Sequence, residues 1–558
     1  MTKAVSGNSF KRHSAWNIWA NPIFRRYCQS RLRVRGLSVY LLVTVLIAAF
    51  IVALATTSSS HFKLTSSDAA RTPIIPLLVF QDLILFILGT AQVAGGITAE
   101  RDEGVIDYQR LIPMSPLAKV LGYLFGLPIR EYCMFLATVP FTIYSIWLGG
   151  ISWHVWLPLY AAVLSSALLY HMTGLVTGTV VRNRRWAFLV SIGLVFALYT
   201  VIPQMARFGL VFFKYLTIFP VLEECLPGLL PLEAGKALAM VKSLDPEATF
   251  FNLNLPEVAF TLFSQGGLIV TFLIMLCRKW RKIESHLLGK LWATGFFIWV
   301  QVLLLGNALP LVDSGNLFPS HGLTKYTAVK RLWAPTGTET VAMCAMYGLV
   351  TLGLLFVLAG IITPSNETQL RGWRRTRKIG ASSLAFLEDA ATSFWFVLTM
   401  AIAGGVGWYL FTQALVGSRW FPGHVVPTQT LIYFGAVMLT GGLAFQALLE
   451  AKGGRVVGLT AIFVGAVPVM LGIVLANIRG LIPVASWISG ISPLSMPFYA
   501  CASLLSLTPL TESTVRSVPR AFYFWLFVGG LVTIWLVVKL RSARKQIALV
   551  TAEPKAGT

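Results

Sequence analysis

The residues best suited to specific contacts are four consecutive charged side chains: Glu100, Arg101, Asp102 and Glu103. They fall in the last turn of an apolar helix, and Gly104 directly after them can adopt the left-handed conformation that ends a helix. Pro113 follows, and Ser115-Pro116 is typical of the start of a new helix. This pattern predicts a short, stiff, charged bend that offers ion pairs and hydrogen bonds to a partner. The alternative is that the charges only solvate a helix end.

A second set of polar residues lies within or beside apolar stretches, where an ionisable group is by default a candidate for function. The set comprises Asp82, Arg130, Glu131 and His171. Asp82 could line a pathway or pair with a neighbouring helix, and we favour pairing. Arg130 and Glu131 are expected at the membrane interface, because one helix over residues 117–149 would be about 50 Å long and exceed a hydrocarbon core of roughly 30 Å. His171 is expected to be a hydrogen-bonded packing residue and not a proton relay or metal ligand.

Other chemistries lack the residues that they need. The sequence contains no Gly-x-x-x-x-Gly-Lys-(Ser or Thr) loop to cradle the phosphates of ATP. No cluster of His, Cys, Asp or Glu reaches the number of ligands that a metal ion requires. The six cysteines include no close Cys-x-x-Cys pair, and a disulfide between Cys225 and Cys501 is conceivable but not expected. We therefore predict no catalytic residue, metal or cofactor in this chain, which is not expected to be an enzyme.

These residues belong to a chain with the composition of a membrane protein. Of its 558 residues, 56% are apolar and 12% are charged, whereas about 25% are charged in soluble domains. Both an ordinary soluble globule and a disordered chain are thereby excluded. Twelve stretches are long and apolar enough to cross the membrane as helices. They cover residues 37–57, 73–98, 132–149, 155–181, 186–203, 258–277, 291–312, 341–363, 393–416, 429–449, 456–475 and 521–538.

The distribution of basic residues predicts the orientation of these spans. If both termini are cytoplasmic, 31 of the 45 Lys and Arg residues fall on the cytoplasmic side and 13 on the outer side. That bias follows the positive-inside rule. We therefore expect a multi-pass protein of the cell membrane, inner or plasma, with both termini in the cytoplasm. The formal charge of +23 does not indicate nucleic-acid binding, because the basic residues are scattered over many segments and do not form one face.

The basic tail, residues 1–36, contains a second local motif. Asn21 can cap a helix and Pro22 suits its first position. Arginines and apolar residues then alternate, which predicts a helix lying in the membrane interface on anionic lipid. A plain cluster of cytoplasmic anchor charges is the alternative. The first apolar stretch has no small-residue cleavage site and is expected to be a retained anchor, not a signal peptide.

The segment from Gly96 to Pro116 resembles the permease subunit of the type-2 ATP-binding-cassette (ABC) exporters. In that family the second span commonly ends in Ile-x-x-Glu-Arg-x-x-Gly, as at residues 97–104 here, and continues to Pro-(Leu or Met)-Ser, as at residues 113–115. The motif at residues 21–26 also resembles the interfacial elbow helix of the family. Two departures are Gly122-Tyr123, where the family often has Gly-Lys, and the second-half segment 366–389, which lacks Glu-Arg-x-x-Gly.

The resemblance implies separate cytosolic ABC ATPase subunits that use ATP and Mg²⁺. It is also compatible with further membrane or accessory subunits as partners. It implies that the residues Glu100 to Glu103 orient the contact with the ATPase and that Gly104 and Pro113 set the shape of that contact. Coupling to the two ATPases could then differ between the two halves of the chain.

Loop lengths divide the chain into two six-helix halves, a parallel repeat of the kind found in transporters. We expect a basic tail with the elbow helix at residues 1–36, membrane halves at 37–283 and 284–540, and a cytoplasmic tail at 541–558. The longest outer connections, 204–257 and 476–520, contain short apolar runs broken by Pro220 and Pro483 that suit re-entrant or interfacial helices.

The expected function is that of the permease of an ATP-driven exporter. One alternative is an ion-coupled secondary transporter of six plus six helices, which is disfavoured because only one carboxylate lies clearly within a span and the central link 278–290 is short. Another is a membrane enzyme acting on a lipid-linked substrate, for which no cluster of acid, base and nucleophile is visible. A scaffold that retains the permease fold without transporting is a further alternative.

Overall fold

A computed structural model of the protein describes residues 15–61, 64–181, 183–236, 248–282, 284–313, 317–318, 335–478, 480–505, 507 and 512–550. Twelve helices in this part of the chain are long and apolar enough to cross a membrane, which confirms the predicted all-α polytopic fold class. These first to twelfth spans are Val34–Ser58, Ser66–Asp102, Ile129–Leu148, Trp153–Val180, Arg185–Phe208, Glu257–Arg281, Lys290–Leu311, Gly337–Ile362, Phe394–Val416, Gln429–Lys452, Gly454–Ala476 and Arg516–Leu549.

Shorter elements connect the spans. In the first unit these include the N-terminal helix Pro22–Arg31, the bend helix Val105–Leu111 and the support helix Pro116–Gly126. In the second unit they include the basic helix Asn366–Lys378. The others include helices Phe219–Leu229, Ile482–Ser489 and Met496–Leu504 and 3₁₀ turns at Ile18–Ala20 and Val211–Leu216. Among the described residues, the only strands are the antiparallel pair Ala248–Phe250 and Leu253–Leu255, with Thr249 opposite Asn254.

The chain forms two compact units. One comprises Met1–Val201, Tyr215–Asp245 and Glu257–Ile283. The other comprises Ile202–Lys214, Pro246–Pro256 and Glu284–Thr558. Two stretches that the loop lengths assign to the first half, residues 202–214 and 246–256, therefore group with the second unit.

The outward surfaces of the spans are apolar, as lipid contact requires. Along the first span, Leu42, Leu46, Phe50 and Leu54 are all exposed. Their spacing of four residues places them on one face of the helix. In water such a stripe would be an aggregation hazard, whereas in a bilayer it is solvated by acyl chains.

The second span contains a π-helical segment. Helical segments Ser66–Arg71, Ile74–Asp82 and Thr90–Asp102 are α-helical, and Leu83–Gly89 between the last two is π-helical. Single π turns inside α-helices occur frequently at functional sites. Asp82 lies directly before this segment.

Helix boundaries differ from the sequence-based expectation at three places. Residues 117–149 do not form one helix, because the chain turns at Leu127 and Pro128, where proline has no N–H to continue the hydrogen-bond ladder. Pro483 lies in the first turn of helix Ile482–Ser489, where that N–H is not needed, and does not break its apolar run. The run around Pro220 is divided as expected, between the 3₁₀ turn Val211–Leu216 and the helix that begins at Phe219. The last helix, Glu512–Val550, extends well into the predicted cytoplasmic tail.

Candidate functional site

The N-terminal helix and the support helix pack closely on one another. Asn21 caps the N-terminal helix as predicted, and its Nδ2 donates to the carbonyl oxygen of Ala118 at 2.6 Å. Gly126 permits the close approach, because a Cβ added there would lie 2.8 Å from Cδ2 of Tyr27. The small residue thus brings Tyr27 against the support helix.

Glu100 is the centre of a hydrogen-bonded cluster between these helices. Its Oε1 accepts from Nη2 of Arg26 and from the hydroxyl of Tyr27, and its Oε2 accepts from the hydroxyl of Tyr123. Burial and the Glu100 carboxylate raise the pKa of both tyrosines, so the phenols remain neutral donors. These four residues, the Glu100 cluster, tie the end of the second span to the N-terminal and support helices.

Tyr123 is a further candidate residue, marked in the sequence only by its place in the Gly122-Tyr123 pair. Besides donating to Glu100, its ring stacks on Trp280 at the end of the sixth span, with ring centroids 5.1 Å apart. The guanidinium of Arg110 lies 5.9 Å from the Trp280 ring. The departure from Gly-Lys is the one sequence signal that could have drawn attention to this position.

Arg101 and Lys119 make hydrogen bonds that connect the two ends of the bend to neighbouring helices. Nη1 of Arg101 donates to the carbonyl oxygen of Gly178 in the last turn of the fourth span at 3.1 Å. Nζ of Lys119, a buried residue, donates to the carbonyl oxygen of Ile112 at 3.0 Å, directly after the bend helix. Burial and the nearby Arg110 guanidinium lower the pKa of Lys119. The role of Lys119 was not predicted from the sequence.

The bend has the local geometry expected from its sequence. Gly104 adopts the left-handed conformation, with φ +73°, and ends the second span. The Ser115 hydroxyl accepts from the N–H of Ala118 and caps the support helix. Tyr108 and Leu111 on the bend helix are 69% and 81% exposed. Together with the exposed residues around them they form the outer face of the bend, which comprises Asp102, Glu103, Asp107, Tyr108, Leu111 and Pro113.

The charged residues predicted to act together therefore divide into two groups. Glu100 and Arg101 point into the bundle and make the contacts described above. Asp102, with 47% of its side chain exposed, and Glu103 point outward. The second group is the more exposed of the two, and its role in docking stays a prediction.

The second unit has a buried carboxylate of its own at the end of the tenth span. The Glu450 side chain is fully buried, and both of its oxygens accept from the guanidinium of Arg544 on the last helix. Nε2 of Gln369 on the basic helix donates to Oε1 at 2.6 Å. These three residues, the Glu450 cluster, were not predicted from the sequence.

The surface beside the basic helix differs in charge from the acidic bend. Glu284 forms ion pairs with Arg371 and Arg375 of that helix. Ile379, Phe386 and Leu387 beyond it are 82%, 53% and 54% exposed. The surface formed by the basic helix and residues 379–387 is thus apolar and basic, whereas the outer face of the bend is apolar and acidic.

Asp82 in the second span is buried, and its Oδ1 has no hydrogen-bond partner in the described part of the chain. The pairing that we favoured for Asp82 is not found among the described residues. Its neighbour Gln81 makes the interhelical contacts, donating to the hydroxyls of Thr138 at 2.9 Å and Thr142 at 3.0 Å.

His171 is hydrogen-bonded through both ring nitrogens, as expected for a packing residue. Nε2 lies 2.9 Å from the carbonyl oxygen of Leu85 in the π-helical segment, and Nδ1 lies 2.9 Å from the hydroxyl of Tyr132. Because a carbonyl only accepts, Nε2 carries the proton and Nδ1 accepts from Tyr132. The imidazole therefore has no nitrogen left for a metal ion.

Arg130 and Glu131 lie in the first turn of the third span and pair with each other. Nη2 of Arg130 is 2.6 Å from Oε1 of Glu131, and its guanidinium lies 4.1 Å from the ring centroid of Tyr40. The Glu131 side chain is buried, and its Oε2 has no hydrogen-bond partner within the described ranges.

Cysteines and potential metal ligands are dispersed. Cys225 and Cys501 are both buried and are not joined in a disulfide. No group of three His, Cys, Asp or Glu side chains in the described residues could hold a metal ion.

The likeness to ABC exporter permeases rests on the residues of the bend and of the N-terminal helix. No family model, curated protein or solved structure matches this chain.

Proposed function

We propose that this protein is the membrane-spanning permease of an ATP-driven ABC exporter and that the outer face of the bend binds a cytosolic ATPase subunit. One observation carries the proposal: the bend exposes a tyrosine and a leucine among carboxylates, on a helix whose ends are bonded to the bundle. ATP and Mg²⁺ would be bound by the partner, because this chain has no phosphate-binding loop.

The outer face has the chemistry of a protein interface. Large side chains such as Tyr108 contribute most of the binding energy when a partner buries them. Leu111 adds apolar area on the same short helix, which would fit a groove as helix-in-groove contacts do. The flanking carboxylates of Asp102 and Glu103 favour a partner surface that carries basic residues.

The contacts beneath the outer face could transmit force. Arg101 connects the bend to the fourth span, Lys119 connects it to the support helix, and Glu100 connects the second span to the N-terminal helix. A displacement of the bend by a closing ATPase would therefore move these helices together as a rigid body. Without such contacts the short bend helix would shift alone.

Site-specific photocrosslinking tests the assignment. A photoreactive amino acid at Tyr108 is expected to capture a protein that contains an ATP-binding motif, identified by mass spectrometry. The same residue at Trp147, which is 80% exposed on the predicted outer side, provides the control and is expected to capture none. Capture of proteins without such a motif at Tyr108, or labelling of this position from outside the cell, would refute the proposal.

The substitution Leu111→Asp is expected to reduce recovery of the ATPase with the purified permease by about 30-fold, because it removes an apolar contact and adds a buried charge. Thermal unfolding should not change, since the side chain is exposed. The matched control is Trp153→Ala, an exposed site on the predicted outer side. Unchanged recovery with Leu111→Asp would rule out this surface as the docking site.

A second candidate function, ion-coupled transport, is favoured by Oδ1 of Asp82, which is buried beside the π-helical segment and has no hydrogen-bond partner in the part of the chain that the structure describes. An intramembrane carboxylate of this kind can carry a proton or a cation. Under the exporter proposal, Asp82→Asn should leave ATP-driven transport in proteoliposomes within about twofold of the wild type. A loss of more than tenfold in gradient-driven transport, with no nucleotide present, would favour the second candidate instead.

A further inference from the structure

A cavity of about 610 Å³ lies in the first unit between the second and fifth spans, next to the end of the N-terminal helix. Two arginines line it, Arg31 and Arg185. Nη1 of Arg31 donates to Oε1 of Gln92 at 2.8 Å, which holds the guanidinium at the cavity wall. Among the described residues that line the cavity, none is acidic.

The environment of Gly95 shows that the cavity reaches the backbone of the second span. The residue is buried, yet a Cβ added to it would meet no atom within 4 Å. At the adjacent Gly96, an added Cβ would lie 2.3 Å from Leu127. The cavity is therefore bounded on one side by bare backbone of the second span that a ligand can approach closely.

The other wall is formed by the first turns of the fifth span. Phe188 and Leu189 line the cavity and are 43% and 57% exposed. Arg185 lies in the first turn of helix Arg184–Phe196, where unpaired N–H groups give the helix end a partial positive charge. The cavity is thus cationic at one end and continuous with an apolar, outward-facing surface at the other.

We propose that this cavity binds the headgroup of an anionic phospholipid from the surrounding leaflet. The headgroup phosphate would lie between Arg31 and Arg185, and the acyl chains would lie along Phe188 and Leu189. Basic pockets between membrane helices bind anionic headgroups in this way. The apolar wall indicates a lipid and not a soluble anion, which would leave Phe188 and Leu189 without a partner. This inference does not depend on the proposed ATPase contact.

Native mass spectrometry of the full chain in detergent tests the proposal, with phosphatidylglycerol and phosphatidylcholine as probes. The wild type is expected to retain phosphatidylglycerol at least tenfold better than phosphatidylcholine. The double variant Arg31→Gln/Arg185→Gln should bind phosphatidylglycerol about 30-fold more weakly, from the loss of two cationic groups. Gly95→Leu should cause a similar loss with both arginines intact, because its side chain would fill the cavity.

The matched control is Arg33→Gln/Arg35→Gln, which removes two exposed arginines close to the cavity but not lining it. It should change binding less than twofold. Equal retention of both lipids by the wild type, or an equal loss in the control, would overturn the proposal in favour of diffuse surface charge. Complete displacement of the lipid by glycerol phosphate would overturn it in favour of a soluble anion. If the double variant does not fold, Gly95→Leu decides the result alone.

Discussion

Replacing Glu100 by Gln is expected to lower the free energy of unfolding of the first unit by about 3 kcal/mol, since hydrogen bonds to a charged group contribute roughly 1.5–3 kcal/mol each. The buried hydroxyls of Tyr27 and Tyr123 would lose an ionic acceptor. Arg26 contributes less, because 41% of its side chain is exposed and solvent screens its charge. The N-terminal helix should therefore detach more readily from the support helix.

Hydrogen exchange in detergent measures how readily the N-terminal helix detaches from the support helix. Protection of the amides in residues 22–31 should fall, and the thermal unfolding midpoint should drop. Asp102→Asn is the matched control, because the same chemical change two residues away affects an exposed side chain and should cost less than about 0.5 kcal/mol. Unchanged protection of the N-terminal helix in Glu100→Gln would show that the cluster does not hold it.

Replacing Glu450 by Gln is expected to cost about 3–5 kcal/mol in the second unit, the range for breaking a buried ion pair by removing one partner. The Glu450 side chain is fully buried and both of its oxygens bond Arg544, so the variant leaves a guanidinium without its counter-charge. The last helix should loosen from the tenth span, with faster hydrogen exchange over residues 539–549.

A double-mutant cycle separates the ion pair from the rest of the packing. Glu450→Gln combined with Arg544→Met should recover much of the lost stability, because no uncompensated charge remains. Glu367→Gln, which removes an ion pair with the exposed Arg371, is the control and should cost less than about 0.5 kcal/mol. A small loss in Glu450→Gln, or no recovery in the double variant, would contradict the assignment.

The two clusters have the same construction within their own units. In each, a carboxylate at the end of a span accepts from the arginine of a helix near a chain terminus, Arg26 in the first unit and Arg544 in the second. Each also takes a hydrogen bond from a connecting helix, from Tyr123 or from Gln369. The exposed surfaces beside them differ in charge. If the proposed ATPase contact exists, we therefore expect the two units to make it through different chemistry.

Features that depend on neighbouring residues could be predicted from the sequence. The twelve spans follow from runs of apolar residues, because backbone groups in a bilayer must be satisfied within the segment. The caps at Asn21 and Ser115 and the left-handed Gly104 follow from local hydrogen bonding and backbone freedom. Each of these signals lies within a few residues of the structure that it specifies.

Features that depend on distant residues were decided by the tertiary structure alone. Successive side chains on a helix point about 100° apart, so Glu100 and Asp102 lie on nearly opposite faces. The sequence could not show which of these two faces meets the bundle. That choice is set by Arg26, Tyr27 and Tyr123, whose hydrogen bonds compensate the cost of burying a carboxylate. Glu450 and Lys119 are buried for the same reason. At Glu100, Glu450 and Lys119 the fold supplies the partners that stabilise a buried charge, and the chain order does not show which residues those partners are.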